Sequence, residues 1–137
     1  MRASQKYSIL VVEDEADLLE MYRIKLTSEG FDVLTALNGQ AGFDMVKKHL
    51  PDLVLLDLIM PKFDGYAMLK MMKRNRLTGR IAVIVFSNLS QSDEVEKGFK
   101  LGARDYILKT SLTPRQLSDK VKEFLKQYPH SHGAKNK

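Results

Sequence analysis

A doubly wound α/β fold, with a five-stranded parallel sheet between two layers of helices, is what this sequence predicts from three observations. Short apolar runs rich in β-branched residues recur five times. Segments of helical periodicity lie between them. The third and fourth runs are apolar almost without alternation. A strand covered on one face alternates apolar and polar residues, whereas one buried on both faces reads as a continuous apolar run. Strands that alternate with helices, with buried strands at the centre, define a parallel sheet covered on both sides.

The elements follow in order. The strand-like runs are YSILVV (7–12), FDVLTA (31–36), DLVLLD (52–57), IAVIVF (81–86) and DYILK (105–109). After the first run, Ala16, Leu19, Tyr22 and Leu26 fall on one helical stripe. The last helix is the clearest: Leu117, Val121, Phe124, Leu125 and Tyr128 recur at i, i+4, i+7, i+8 and i+11. It opens with Thr113 as N-cap and Pro114 at the first helical position, where a missing N–H costs nothing. Gly30 and Gly102 stand where helices should end. Right-handed crossovers leave few topologies for such a chain, and strand order 2-1-3-4-5 is a common one. Residues 6–127 are expected to form one domain, and 128–137 (YPHSHGAKNK) a flexible polar tail; there is no internal repeat.

Composition narrows the function classes. The 137 residues, 44% apolar and 28% charged, suit one soluble globular domain. With no cysteine, a disulfide framework, a thiol nucleophile and a thiolate zinc site are excluded. The longest apolar runs, such as Ile81 to Phe86, fall far short of the ~20 residues that span a bilayer. The apolar stretch near the N-terminus is too short for a signal peptide and ends in acids, so a cytoplasmic location without membrane insertion is expected. The net charge of +5 comes from Arg2, Lys6, Lys126, Lys135 and Lys137; between residues 9 and 125 the basic and acidic side chains balance. Direct nucleic-acid binding gains little support from charge confined to the chain ends. Too little chain follows residue 127 for an effector domain; the Met1 start fits a complete regulator, and the N-terminal part of a longer one would start alike.

Three consecutive acids, Glu13, Asp14 and Glu15, follow the first apolar run directly. Two carboxylates about 4 Å apart repel by roughly 4 kcal/mol at an effective dielectric of 20, so their crowding calls for a cause. In an open parallel sheet, ligands bind beyond the carboxyl ends of the strands where strand order reverses, here between strands 1 and 3. Glu13 and Asp14 end strand 1 and Asp57 ends strand 3, which brings three carboxylates to one crevice. Ser87-Asn88 ends strand 4 and Lys109 ends strand 5, on the same rim. An all-oxygen donor set suits Mg2+, or Mn2+, which pairs with phosphate. A carboxylate, a divalent cation, a lysine and a hydroxyl donor are the groups that phosphoryl transfer onto a carboxylate requires, with Asp57 as the attacking group.

In these residues the chain resembles the response-regulator receiver domains of two-component signalling, over roughly residues 6–127. VVEDE carries the acidic pair, LLDLIMPKFDG the phosphoacceptor loop, VIVFSN the hydroxyl residue and GARDYILK an aromatic and the lysine. The resemblance implies a flavodoxin-like (βα)5 sandwich in which Asp57 accepts a phosphoryl group from a phosphohistidine on a sensor kinase or phosphotransfer protein. It implies Mg2+ held by Asp14, Asp57 and the backbone carbonyl of Ile59, with Glu13 acting through water. It makes Ser87 a hydrogen-bond donor to the phosphoryl group and Lys109 its ion-pair partner. It also makes Tyr106 a switch that moves inward with Ser87, coupled to a protein-binding face of the fourth helix, fifth strand and fifth helix. Self-association through that face on activation is a further implication; the downstream protein target is not named by the sequence. Catalysis is expected to be limited to the domain's own phosphorylation and dephosphorylation. One departure stands out: Thr110 follows Lys109 where the family often has a cis proline, and a non-proline cis bond costs about 2.5–4 kcal/mol.

Blander readings compete for each residue. The N-terminal acids could be solvated turn residues favoured by a helix dipole, Tyr106 an edge-strand aromatic, and Gly65 a relief of backbone crowding. The basic residues Lys70, Lys73, Arg74, Arg76 and Arg80 read as a solvated helix face and loop, with an acidic partner as the minor alternative. His130 and His132 sit in the tail. Among other functions, a haloacid-dehalogenase-type phosphatase would need an aspartate at Ile59, and a flavin-binding fold would need a glycine- and hydroxyl-rich loop in place of EDEAD. A receiver-like interaction module that works without phosphate is the remaining alternative, resting on Thr110. Apolar Ile59 and Leu89 flank the expected path of attacking water, which predicts a phosphoryl group that persists much longer than seconds.

Overall fold

The computed structural model describes residues 6–58, 60, 65–88 and 92–127. The elements run β1 (Ser8–Val12), α1 (Ala16–Ser28), β2 (Asp32–Ala36), α2 (Gly39–His49), β3 (Leu53–Leu56) and α3 (Gly65–Arg74). They continue as β4 (Ala82–Ser87), α4 (Ser92–Lys100), β5 (Asp105–Leu108) and α5 (Pro114–Gln127), with a 3₁₀ turn at Lys109–Ser111. All pairings are parallel and the order is β2-β1-β3-β4-β5, as the sequence predicts. The expected tail at 128–137, with Tyr128 of the α5 stripe, lies outside the described residues.

The strands sort their side chains with a period of two, and this divides the core. Ile9 and Val11 of β1 face a cluster with Leu55, Ile84, Leu117 and Phe124, under α1 and α5. Leu10 and Val12 face the other cluster, with Leu56, Val85, Phe43 and Met68, under α2 and α3. Every residue of β3 and β4 is buried, which is why their sequence does not alternate.

Helix ends follow the local chemistry. Thr113 and Gln116 form a reciprocal capping box: the Thr113 hydroxyl accepts from the Gln116 backbone N–H at 3.2 Å, and the Gln116 side-chain Oε1 accepts from the Thr113 N–H at 2.9 Å. Gly30 and Gly102 adopt φ of +99° and +109° just past α1 and α4. The strand bounds differ from the sequence reading by a residue at several ends. Asp52 leaves the β3 ladder because its carboxylate accepts the Ser8 N–H at 2.8 Å. Lys109 leaves β5 because the chain tightens there into the 3₁₀ turn. Among the described residues, no helix is long and apolar enough to cross a membrane.

Candidate functional site

Parallel pairing brings the ends of β1 and β3 side by side, with Val12 opposite Leu56. The chain then continues past each strand in register: Glu13 donates its N–H to Ala36, and Asp57 donates its N–H to Val12 at 3.2 Å. These bonds fix the backbones that carry the acids. Carboxylate oxygens of Glu13, Asp14 and Asp57 lie within 4.8 Å of one another. Glu15 is exposed and serves instead as the residue before α1, without a side-chain cap.

Each acid sits differently. Glu13 is 1% exposed. One of its oxygens accepts the Glu15 N–H at 2.9 Å, and the other accepts from the Lys109 ammonium. Asp57 accepts from the same ammonium at 2.9 Å through Oδ2. Asp14 is half-buried and makes no hydrogen bond or ion pair among the described residues, so its oxygens are available. Burial pushes the Glu13 carboxyl above the ordinary carboxylate range, even though Lys109 and the Glu15 N–H pull it down. Burial pulls the Lys109 ammonium down, but its hydrogen bonds to Glu13 and Asp57 outweigh that and leave it raised. One lysine among three carboxylates leaves the crevice about two charges negative. An all-oxygen set with residual negative charge fits a hard divalent cation.

The Lys109–Thr110 bond is trans; there is no cis peptide among the described residues. Lys109 nonetheless reaches both acids. Two aromatic rings that the sequence reading assigned only to the core support it: the ammonium lies 5.6 Å from the Phe86 ring centre, and Tyr22 packs edge-on against Phe86 at 5.1 Å. Periodicity could not single these rings out, since both occupy ordinary inward positions.

Ser87, the last residue of β4, is buried and pairs in register with Leu108, next to Lys109. Tyr106 on β5 has its hydroxyl buried with no hydrogen-bond partner among the described residues, and burial, with a contribution from the Asp57 charge, pushes that hydroxyl up. Gly65 is needed for close approach. A Cβ there would lie 2.2 Å from the Asp57 carbonyl oxygen and 2.6 Å from Leu58 Cα, and its N–H donates to Leu58 at 3.0 Å. The crowding the sequence suggested at this turn is therefore contact between α3 and the backbone of the Asp57 loop. Ile59 and Leu89, expected to supply a metal-binding carbonyl and to shield the site from water, lie outside the described residues.

A doubly wound parallel sheet in the flavodoxin-like order, with an acidic cluster and a buried lysine on its carboxyl rim, places the candidate site where the strand order reverses. The response regulator receiver domain profile matches residues 9–122, and the chain belongs to that family, the receivers of two-component systems. It is 33% identical to a probable transcriptional regulator ycf27 of Porphyridium aerugineum, over 90% of this chain and 50% of that protein. It is 34% identical to the phosphate regulon transcriptional regulatory protein PhoB of Pseudomonas aeruginosa, over 88% of this chain and 52% of that one. The chain thus spans about half the length of the curated relatives it matches. Among solved structures, a BeF3-activated DrrB receiver domain is 33% identical with a TM-score of 0.73, covering 89% of this chain and 99% of that one. A CheY-like receiver domain protein from Methanospirillum hungatei JF-1 is 25% identical with a TM-score of 0.81, covering 90% and 97%.

Proposed function

We propose that this receiver takes a phosphoryl group onto Asp57 from a phosphohistidine donor and passes the event to a protein partner. The observation that carries the reading is the contact of Lys109 Nζ with Asp57 Oδ2 at 2.9 Å beside two further carboxylates. An Asp57 oxygen attacks phosphorus, the P–N bond to the donor imidazole breaks, and the imidazole keeps the electron pair and takes up a proton. Lys109 holds positive charge against the phosphoryl oxygens as the anionic phosphoryl group arrives on Asp57. Asp14 and Asp57 would hold the divalent cation, with Glu13 acting through water because both its oxygens are already engaged. The cation, when bound, supplies further neutralisation of phosphoryl oxygens.

Two features support a switch on the β5 side. Ser87 and Tyr106 occupy adjacent strands, and the buried Tyr106 hydroxyl lacks a partner among the described residues. An unsatisfied buried hydroxyl costs roughly 1–3 kcal/mol, so the inward position of this ring is held against a penalty that a change at Ser87 can bias either way. The trans peptide before Thr110 leaves Lys109 on Asp57, which favours the phosphate-dependent reading over a receiver that works without phosphate.

The test is incubation with acetyl phosphate, with and without Mg2+, followed by intact mass, with Asp57→Asn alongside. Gain of one labile phosphoryl group that needs both Mg2+ and Asp57 is the expected result, and its decay times the hydrolysis. If the folded protein also gains nothing from a phosphohistidine donor, the reading fails.

A further inference from the structure

Charge in this chain is balanced overall between residues 9 and 125, but it is not evenly spread. From Gly65 to Arg80 there are five cations, Lys70, Lys73, Arg74, Arg76 and Arg80, and no carboxylate. Three of them, Lys70, Lys73 and Arg74, line a cleft of about 370 Å3 whose opposite wall is Leu101, just past α4. All three are exposed, and none makes an ion pair among the described residues. Basic residues in a last helical turn complement the helix dipole, which accounts for Lys73 and Arg74. It does not account for Lys70, a turn earlier, or for the cations that follow the helix.

The crevice end of this inter-helix seam is closed. Tyr66 on α3 donates its hydroxyl to Glu94 on α4, and Lys97 lies 4.2 Å from the centre of the Tyr66 ring. The cleft therefore opens on the C-terminal half of α3, away from Gly65 and the Asp57 loop that it touches. We infer that the cleft between α3 and the end of α4 is a docking site for a short acidic segment of a partner protein, separate from the phosphoacceptor crevice.

Size and charge boundaries favour a protein segment over nucleic acid. Lys70 to Arg74 covers about 6 Å of helix, room for a few acidic side chains. Asp93 and Glu94 lie in the first turn of α4, at the end of the seam that the Tyr66–Glu94 contact closes. A duplex backbone crossing that region would meet those acids, whereas a short segment ends before them. Nucleic-acid affinity also depends on neutralising several phosphates along an extended track. Leu101 offers an apolar contact that a peptide side chain can use and a phosphate backbone cannot.

The inference is tested on the unphosphorylated full chain by fluorescence anisotropy, with a labelled peptide of glutamates around one leucine as probe. Binding should weaken at least tenfold in Lys70→Gln/Lys73→Gln/Arg74→Gln, and about threefold in Lys73→Glu alone. Lys120→Gln on α5 should leave it unchanged. All these side chains are exposed, and acetyl phosphate labelling of Asp57 in the triple variant should match wild type, which separates this site from the crevice. Three results would overturn the assignment: no binding by wild type, equal binding by the triple variant, or displacement of the peptide by duplex DNA at equal charge.

Discussion

Ion pairs occur in two settings in this molecule. At the sheet rim Lys109 joins Glu13 and Asp57 with side chains only 8%, 1% and 9% exposed. On the outer surface Lys122 of α5 reaches Glu29, after α1, at 2.6 Å, with side chains 46% and 28% exposed. The contacts are alike in chemistry and opposite in consequence. Water screens the surface pair and would hydrate either partner left alone. The rim charges have lost much of that alternative, so each depends on the others. A network like this is a poor way to stabilise a fold and a good way to hold a reactive carboxylate in one place.

Removing Lys109 should break the comparison most severely. In Lys109→Met, Glu13 and Asp57 remain buried without their ammonium, a situation that costs about 3 kcal/mol in other proteins. Urea unfolding at neutral pH in a metal-free buffer should show a loss of that order. Millimolar Mg2+ should recover part of it, because the cation and the lysine answer the same negative potential. An unchanged midpoint would mean that the crevice acids are hydrated well enough to need no counter-charge.

Glu13 sharpens the same comparison through pH. Burial holds its carboxyl above the ordinary range, so between the unfolded value, about 4.3, and the raised native value the folded protein binds more protons than the unfolded one. The stabilisation this gives is fully present below the unfolded value and is lost as pH rises through the native one. Metal-free Glu13→Gln should lack that decline and be more stable than wild type at neutral pH, while binding Mg2+ more weakly. A pH–stability curve identical to wild type would show that the Glu13 charge carries no net cost.

How far these features were legible in the sequence depends on what each residue's neighbours had to be. Unbroken apolar runs at 53–56 and 81–86 declared central strands, and strand order then put Glu13, Asp14, Asp57 and Lys109 on one rim. Chain direction and a period of two suffice for that. Which of three consecutive acids turns inward was not legible from composition, since it depends on the bond from the Glu15 N–H to Glu13. The aromatic support under Lys109 was hidden because Tyr22 and Phe86 look like any core residues until two distant elements pack. The basic run at 70–80 was plain in the sequence, but the Leu101 wall that turns it into a cleft comes from the turn after another helix.

The smallest effect belongs to the surface pair. Hydrogen bonds from Lys122 and then Lys25 hold the Glu29 carboxyl below its ordinary range. The folded protein therefore binds fewer protons than the unfolded one below about 4.3, and the stabilisation, present above that value, is lost as pH falls through the lowered native one. Because Glu29 stays hydrated, Lys122→Met should move the urea midpoint at neutral pH by only a small fraction of the Lys109→Met shift. Salt at about 0.5 M, where screening acts within a few ångströms, should erase even that. A Lys122→Met loss comparable to that of Lys109→Met and insensitive to salt would show that the α1–α5 contact behaves as a buried pair, and that exposure does not separate the two settings.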